Sequence, residues 1–182
     1  MPIQKDAINL TLLIALSWTL LFVGNQYLFQ SFEYSPYATL IFIPAGLRLM
    51  YSLIYREKSI IGLFLGAVIT SVIFHEATLL HLLFLPLASA VEPFLALILV
   101  EKIQGHRISF QWMTLQTLLV LSLFYAIICP LAHITILALQ QQQSWRDYAS
   151  QFLAMVLGDF LGASFLLLLV FVGIRRFRRR LG

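Results

Sequence analysis

The chain has 182 residues, of which 60% are hydrophobic and only 11% are charged. Soluble domains carry roughly 25% charged residues, so this composition excludes a soluble globule. The net charge of +4 matters less than where the basic residues fall. The single cysteine, Cys129, lies in an apolar run, which excludes a disulfide framework and a cysteine-rich metal site.

Six apolar runs follow one another along the chain, each close to the roughly 20 residues that a helix needs to cross a bilayer. They fall at about residues 8–30, 36–55, 59–75, 79–101, 112–139 and 149–174. An unclosed sheet would leave backbone groups unpaired in lipid, so runs this continuous favour helices. The sequence therefore predicts an all-α, polytopic membrane bundle of about six helices, a single transmembrane domain over residues 1–182.

Ten of the twelve basic residues fall on one side of this arrangement. They are Lys5, Arg56, Lys58, Lys102, Arg107 and the five arginines of the tail at residues 175–182. Arg146 is on the other side, and Arg48 lies inside a span. Because basic loops stay in the cytoplasm, both termini are expected there. The Arg-rich tail is expected to bind anionic membrane lipids, at about 1 kcal/mol per basic residue, and not nucleic acid.

Three ionisable residues lie within the apolar spans: Arg48, Glu92 and Asp159. At the helical rise of 1.5 Å per residue, they lie roughly 12, 13 and 15 Å from the nearest end of their spans. A charge facing lipid at that depth costs at least about 2.5 kcal/mol, so the three are expected to face one another inside the bundle. One interpretation is a polar binding site, and the other is a structural ion pair such as Arg48 with Asp159.

Small residues and a proline surround these charges. Pro44 and Gly46 precede Arg48, and they predict either a broken helix that binds a ligand or an ordinary proline kink. The pairs Gly62 with Gly66 and Gly158 with Gly162 have the spacing that lets backbones pack closely.

Other polar residues carry weaker signals. His75, Glu76 and His81 are competent metal ligands without a recognised spacing, so neither a metal nor a cofactor is expected. His133, four residues after Cys129, is interpreted as a packing histidine or as part of a proton relay. No phosphate-binding loop, zinc-protease motif or nucleophile elbow occurs, and the sequence therefore predicts no enzyme.

Four short motifs occur in an order that resembles the first class of bacterial membrane-associated sensor domains, the MASE type. They are Ile43-Pro44-Ala45-Gly46-Leu47, Gly62-Leu63-Phe64-Leu65-Gly66-Ala67, Ser89-Ala90-Val91-Glu92-Pro93 and Leu157-Gly158-Asp159-Phe160-Leu161-Gly162. The resemblance covers about residues 36–175 and implies a location in the bacterial inner membrane. Family members usually have a tryptophan before the proline, where this chain has Phe42 and Ile43.

Family members commonly continue into a cytoplasmic signalling domain, whereas this chain ends seven residues after Arg175. The resemblance therefore implies a stand-alone sensor that signals through a partner protein, with Glu92 and Asp159 as the positions that matter most. The family supplies no ligand identity.

The leading hypothesis is a non-enzymatic membrane sensor or scaffold that binds a small ligand or a partner's helix at mid-membrane. Its predicted site residues are Pro44, Gly46, Arg48, Ser89, Glu92, Gly158 and Asp159. A second hypothesis is the substrate-binding subunit of an energy-coupling-factor uptake transporter, which has a similar size and topology. A third is a structural or assembly subunit of a larger membrane complex.

Overall fold

The fold is a bundle of six α-helices with one short β-hairpin, seen in a computed structural model that describes residues 2–75, 78–110, 113–139 and 144–181. The helices are α1 (Pro2–Leu28), α2 (Pro44–Tyr55), α3 (Ser59–Phe74), α4 (Leu85–Gln104), α5 (Leu115–Ala138) and α6 (Trp145–Leu181). The hairpin pairs β1 (Glu33–Ser35) with β2 (Ala38–Thr39). Short 3₁₀ turns at Gln30–Phe32 and Arg56–Lys58, and a π-helical turn at Leu80–Phe84, join these elements.

Successive helices run in opposite directions. Asn25 near the end of α1 contacts Ile43 just before α2, whereas Ser17 earlier in α1 contacts Tyr51 later in α2. The bundle therefore has two distinct ends. We call the end that carries β1 and β2 the hairpin end, and the end that carries the Arg56–Lys58 turn the tail end.

Helix α2 lies in the middle of the bundle. It packs against α1, α3, α4, α5 and α6, which surround it. Nine of its twelve residues are buried, including Ala45 and Leu49 with no exposed surface. A helix that is buried on nearly all sides has no lipid-facing stripe, so its polar residues are enclosed by protein and not by lipid.

The chain reaches α2 through an extended segment, residues 38–42, which enters from the hairpin end. The side chain of Asn25 donates to the Ile41 carbonyl at 3.2 Å and accepts from the Ile43 amide at 3.0 Å. The Phe42 amide donates to the carbonyl of Gly158 in α6 at 3.2 Å. Non-helical backbone is tolerated at membrane depth only where protein satisfies its polar groups, and these bonds satisfy three of them.

The predicted second span, residues 36–55, is therefore helical only from Pro44 onward. Proline suits the first helical turn because its missing N–H would have no intrahelical partner there. The sequence predicted a break or kink inside a helix at this proline, and the structure instead places Pro44 at the helix start. With 12 residues, α2 is about 18 Å long, shorter than the roughly 30 Å hydrocarbon layer.

Five segments within the described residues are long and apolar enough to cross a membrane. One of them, Pro44–Phe74, contains both α2 and α3 with the turn between them. The fold is thus that of a multi-pass, all-helical membrane protein. The predicted tail at residues 175–182 continues α6 as a helix as far as Leu181.

Candidate functional site

A cavity of about 110 Å³ lies beneath the hairpin and extends into the bundle. One water molecule needs roughly 10–15 Å³, so the cavity has room for several waters or a small molecule. Glu33 and His75 line it at the hairpin end, and Arg48 and Asp159 line it deeper among the helices. Side chains from all six helices and from the hairpin segment contribute to this central cavity.

Arg48 lies at the deep end of the central cavity and is 4% exposed. Its guanidinium carbon lies 4.6 Å from the ring centre of Trp18 and 5.2 Å from that of Phe42. Cation–π contacts of this kind stabilise a desolvated cation by about 2 kcal/mol. Arg48 Nη1 also lies 3.9 Å from Glu92 Oε2 and donates to Cys129 Sγ at 3.5 Å. The cation is thus held by two aromatic rings and a loose ion pair.

Glu92 faces Arg48 from α4 and is 2% exposed. Its Oε1 lies 3.2 Å from Nδ1 of His133 on α5. Neither carboxylate oxygen has a hydrogen-bond donor among the described residues. His133 is oriented by Ser89, whose hydroxyl lies 3.1 Å from its Nε2. The ion pairs with Arg48 and His133 are therefore incompletely aligned and leave hydrogen-bonding capacity on the carboxylate.

Asp159 completes the group from α6 and is 4% exposed. Asp159 lines the same cavity as Arg48 and Cys129. Its Oδ2 has no hydrogen-bond partner among the described residues. We call Arg48, Glu92, Cys129, His133 and Asp159 the polar cluster. Buried polar groups are usually hydrogen-bonded, so unsatisfied oxygens beside a cavity are the kind that bind a ligand.

The glycines next to Asp159 bring the extended segment against α6. A Cβ atom at Gly158 would overlap the carbonyl oxygen of Thr39, and one at Gly162 would overlap that of Phe42. Gly46 similarly makes room for Leu166 of α6. These close approaches hold the hairpin segment and α2 against the helix that carries Asp159.

Aromatic rings and histidines meet at the hairpin end of the central cavity. Tyr37, His75 and His81 stack with centroid distances of 5.3–5.8 Å, and the Tyr37 hydroxyl lies 3.0 Å from His81 Nε2. Burial lowers the pKa of His75 below its ordinary 6.5, and the neighbouring His81 lowers it further. Glu76, which the sequence grouped with these histidines, lies outside the described residues.

The structure brings four of the seven predicted site residues together and gives the other three a different position. Arg48 and Asp159 line the central cavity, Ser89 lines it beside His133, and Glu92 lies immediately behind. Gly46 and Gly158 lie in the adjoining close contacts with α6 and the hairpin segment, Pro44 begins α2, and none of the three lines the cavity.

Several contributors to the site were left out of the predicted site residues. Trp18 and Asn25 look like ordinary members of an apolar helix, although one covers Arg48 and the other holds the extended segment. Cys129 and His133 are four residues apart, which puts them on one face of α5, and this spacing was the available signal. Together with Glu92 they place one potential metal-ligand atom each within 4.8 Å of the others.

The fold and the central cavity define a multi-pass helical membrane protein with a polar site enclosed by its helices. The profile of the MASE1 family matches residues 9–182, nearly the whole chain. The chain therefore belongs to the MASE1 family of membrane-associated sensor domains, as its motifs indicated. No curated protein and no solved structure matches it. The family match supports the sensor interpretation and does not favour the uptake or assembly hypotheses.

Proposed function

We propose that this chain is a non-enzymatic sensor of the bacterial inner membrane that binds a small ligand in the central cavity. The observation that supports this proposal is the polar cluster. Among the described residues, both buried carboxylate oxygens of Glu92 and Oδ2 of Asp159 lack a hydrogen-bond partner, and they lie at or beside a cavity. Intramembrane charges are rare because of their cost, and they commonly mark a binding site.

The proposed topology has six crossings with both termini in the cytoplasm. The extended segment and α2 together make the second crossing, because residues 38–42 add about 16 Å to the 18 Å helix. Basic residues concentrate at the tail end, which favours its cytoplasmic location. The central cavity is then reached from the outer side, beneath the hairpin.

We propose that the packing of α2 against α6 transmits ligand binding in the cavity to the cytoplasmic end of the bundle. A ligand among Arg48, Ser89 and Asp159 would contact both helices, since Asp159 belongs to α6 and Arg48 to α2. Helix α6 has 37 residues and is about 55 Å long, so it extends well past a 30 Å hydrocarbon layer. A movement of α6 at the cavity would also move the basic C-terminal end of this helix, where we propose that a partner protein and anionic lipids bind.

The test is gentle purification of the chain from its native membrane, followed by mass spectrometry of bound small molecules and copurified proteins. We expect a stoichiometric small ligand with the native protein and its loss with Asp159→Asn and Glu92→Gln, both at normal accumulation. Glu57→Gln removes an exposed carboxylate at the tail end and serves as the matched control. A protein partner without any small ligand would contradict the proposal, and so would failure of both variants to accumulate.

A further inference from the structure

Within the polar cluster, three side chains are arranged as a set of metal ligands. Cys129 and His133 lie one helical turn apart on α5, and their Sγ and Nδ1 atoms are 3.7 Å apart. Glu92 Oε1 approaches the same Nδ1 at 3.2 Å from α4. All three ligand atoms lie within 4.8 Å of one another. Ligands of a tetrahedral ion at 2.0–2.3 Å are separated by roughly 3.3–3.8 Å, so small side-chain rotations suffice to bring these atoms into range.

His133 Nδ1 faces more hydrogen-bond acceptors than its single N–H can satisfy. The Glu92 carboxylate, the Cys129 sulfur and the Cys129 backbone carbonyl at 3.0 Å all converge on this one nitrogen. Its other nitrogen, Nε2, meets the Ser89 hydroxyl. Histidines that bind metal characteristically use one nitrogen for the ion and the other for a hydrogen bond that fixes the ring. Ser89 provides that second contact.

Arg48 fits a bound thiolate better than a neutral thiol. Its Nη1 donates to Cys129 Sγ at 3.5 Å, and such a bond stabilises negative charge on sulfur. A divalent ion together with Arg48 balances the charges of Glu92, Asp159 and a Cys129 thiolate. The cluster with the ion bound is therefore electrically neutral, as a site in the middle of a membrane should be.

We propose that Glu92, Cys129 and His133 bind a divalent transition-metal ion of the zinc class at the deep end of the central cavity. One sulfur, one imidazole and one carboxylate are the donors that zinc accepts, and three protein ligands leave a fourth position open toward the cavity. On binding, the Cys129 thiol releases its proton to water as the sulfur–metal bond forms. This inference rests on the proposed function and names the class of ligand, replacing the earlier expectation of no metal.

The full-length protein in detergent, titrated with Co²⁺ and competed with Zn²⁺, tests this site. We expect one equivalent of Co²⁺ to give a thiolate-to-metal charge-transfer absorption that Zn²⁺ abolishes. Cys129→Ala should remove this absorption, and His133→Gln and Glu92→Gln should each weaken binding at least about tenfold. His106→Ala, which removes an exposed histidine at the tail end, should change nothing.

A second measurement needs no substitution, because Cys129 is the only cysteine in the chain. Zn²⁺ should slow alkylation of Cys129 in the native protein at least about tenfold, since a coordinated sulfur is unavailable to the reagent. Absence of both Co²⁺ absorption and Zn²⁺ protection overturns the metal site. Co²⁺ binding that survives Cys129→Ala but is lost in His75→Ala also overturns it, by locating the ion at the hairpin end.

These outcomes separate the metal site from the proposed function. If Co²⁺ and Zn²⁺ do not bind while mass spectrometry finds an organic ligand that Asp159→Asn loses, the metal site is wrong and the sensory cavity stands. If neither a metal nor an organic ligand is found, both proposals are wrong.

Discussion

Two arginine–glutamate pairs join the α2 region to α4, and they differ in distance, hydrogen bonding and exposure. Arg56 of the turn after α2 meets Glu101 of α4 with two hydrogen bonds, at 2.8 and 2.9 Å. Eight residues earlier Arg48 meets Glu92 at only 3.9 Å, without a hydrogen bond between them. The tight pair is partly exposed at the tail end, whereas the loose pair is buried beside the cavity.

The tail-end pair is complete in itself. Nη1 and Nη2 of Arg56 both donate to the Glu101 carboxylate. Glu101 Oε1 also accepts from the Ile108 amide at 2.7 Å, which holds the chain after α4 against the end of that helix. Bidentate geometry of this kind gives specificity as well as energy, so the pair fixes the register of α2 against α4.

The buried pair leaves donors and acceptors unused. Arg48 Nε and both Glu92 oxygens lack hydrogen-bond partners among the described residues. A buried pair stabilises a fold only when its geometry is good and its remaining polar atoms are satisfied. A purely structural role would be served better by the tail-end arrangement, so the difference between the two pairs supports a ligand-binding role for the polar cluster.

Arg48→Met should have the largest effect on stability. It leaves Glu92 and Asp159 buried without their cation, and removing one partner of a buried pair costs about 3–5 kcal/mol. Reversible unfolding by SDS in mixed micelles measures this loss. Arg146→Met, which removes an exposed arginine at the hairpin end, is the control. A loss below about 1 kcal/mol for Arg48→Met would show that the two carboxyl groups do not depend on this cation.

Glu101→Gln should have a smaller effect, about 1 kcal/mol in the same assay. The pair it breaks is partly exposed, and water compensates the charges that remain. The Ile108 amide can still bond to the glutamine oxygen. Ligand and metal binding should be unchanged, since the site is roughly two helical turns away. If Glu101→Gln instead abolished binding while Glu92→Gln did not, the roles that we assign to the two pairs would be reversed.

The sequence anticipates that the buried ionisable residues cluster, because charge in an apolar span is costly wherever it falls. Depth alone indicated that Arg48, Glu92 and Asp159 lie at similar levels, and in the structure Arg48 pairs with Glu92 and lines the same cavity as Asp159. The helical, multi-pass character follows from the apolar runs for the same reason.

Apolar runs and buried charges do not predict the extended segment before α2. Residues 38–42 are as apolar as a helix, and tertiary contacts keep them extended. These contacts are the Asn25 side chain, a carbonyl of α6 and the close approach that Gly158 and Gly162 allow. The Gly158 and Gly162 spacing predicted close backbone packing, but spacing does not reveal that the partner is an extended strand and not a helix.

The smallest expected effect is at the hairpin end, away from both ion pairs, and it depends on pH. The pKa of His75 is lower in the folded protein than the 6.5 of an unfolded chain, because burial and His81 disfavour its charged form. Well above pH 6.5 both states are neutral and His75 contributes no pH dependence. Below pH 6.5 the unfolded state binds the proton first, so stability falls as the pH falls toward the folded pKa.

His75→Gln should therefore flatten the decline in stability between about pH 6.5 and 5, measured by SDS unfolding at each pH. Tyr37 and His81 stack on His75, and Glu33 lines the same end of the cavity. Glu33→Gln, measured at each pH, is therefore the companion variant that separates any contribution of the Glu33 carboxylate to the pH dependence from that of His75. A decline as steep in His75→Gln as in the native protein would assign the acid sensitivity to groups other than His75. The imidazole at the hairpin end would then have no part in the response.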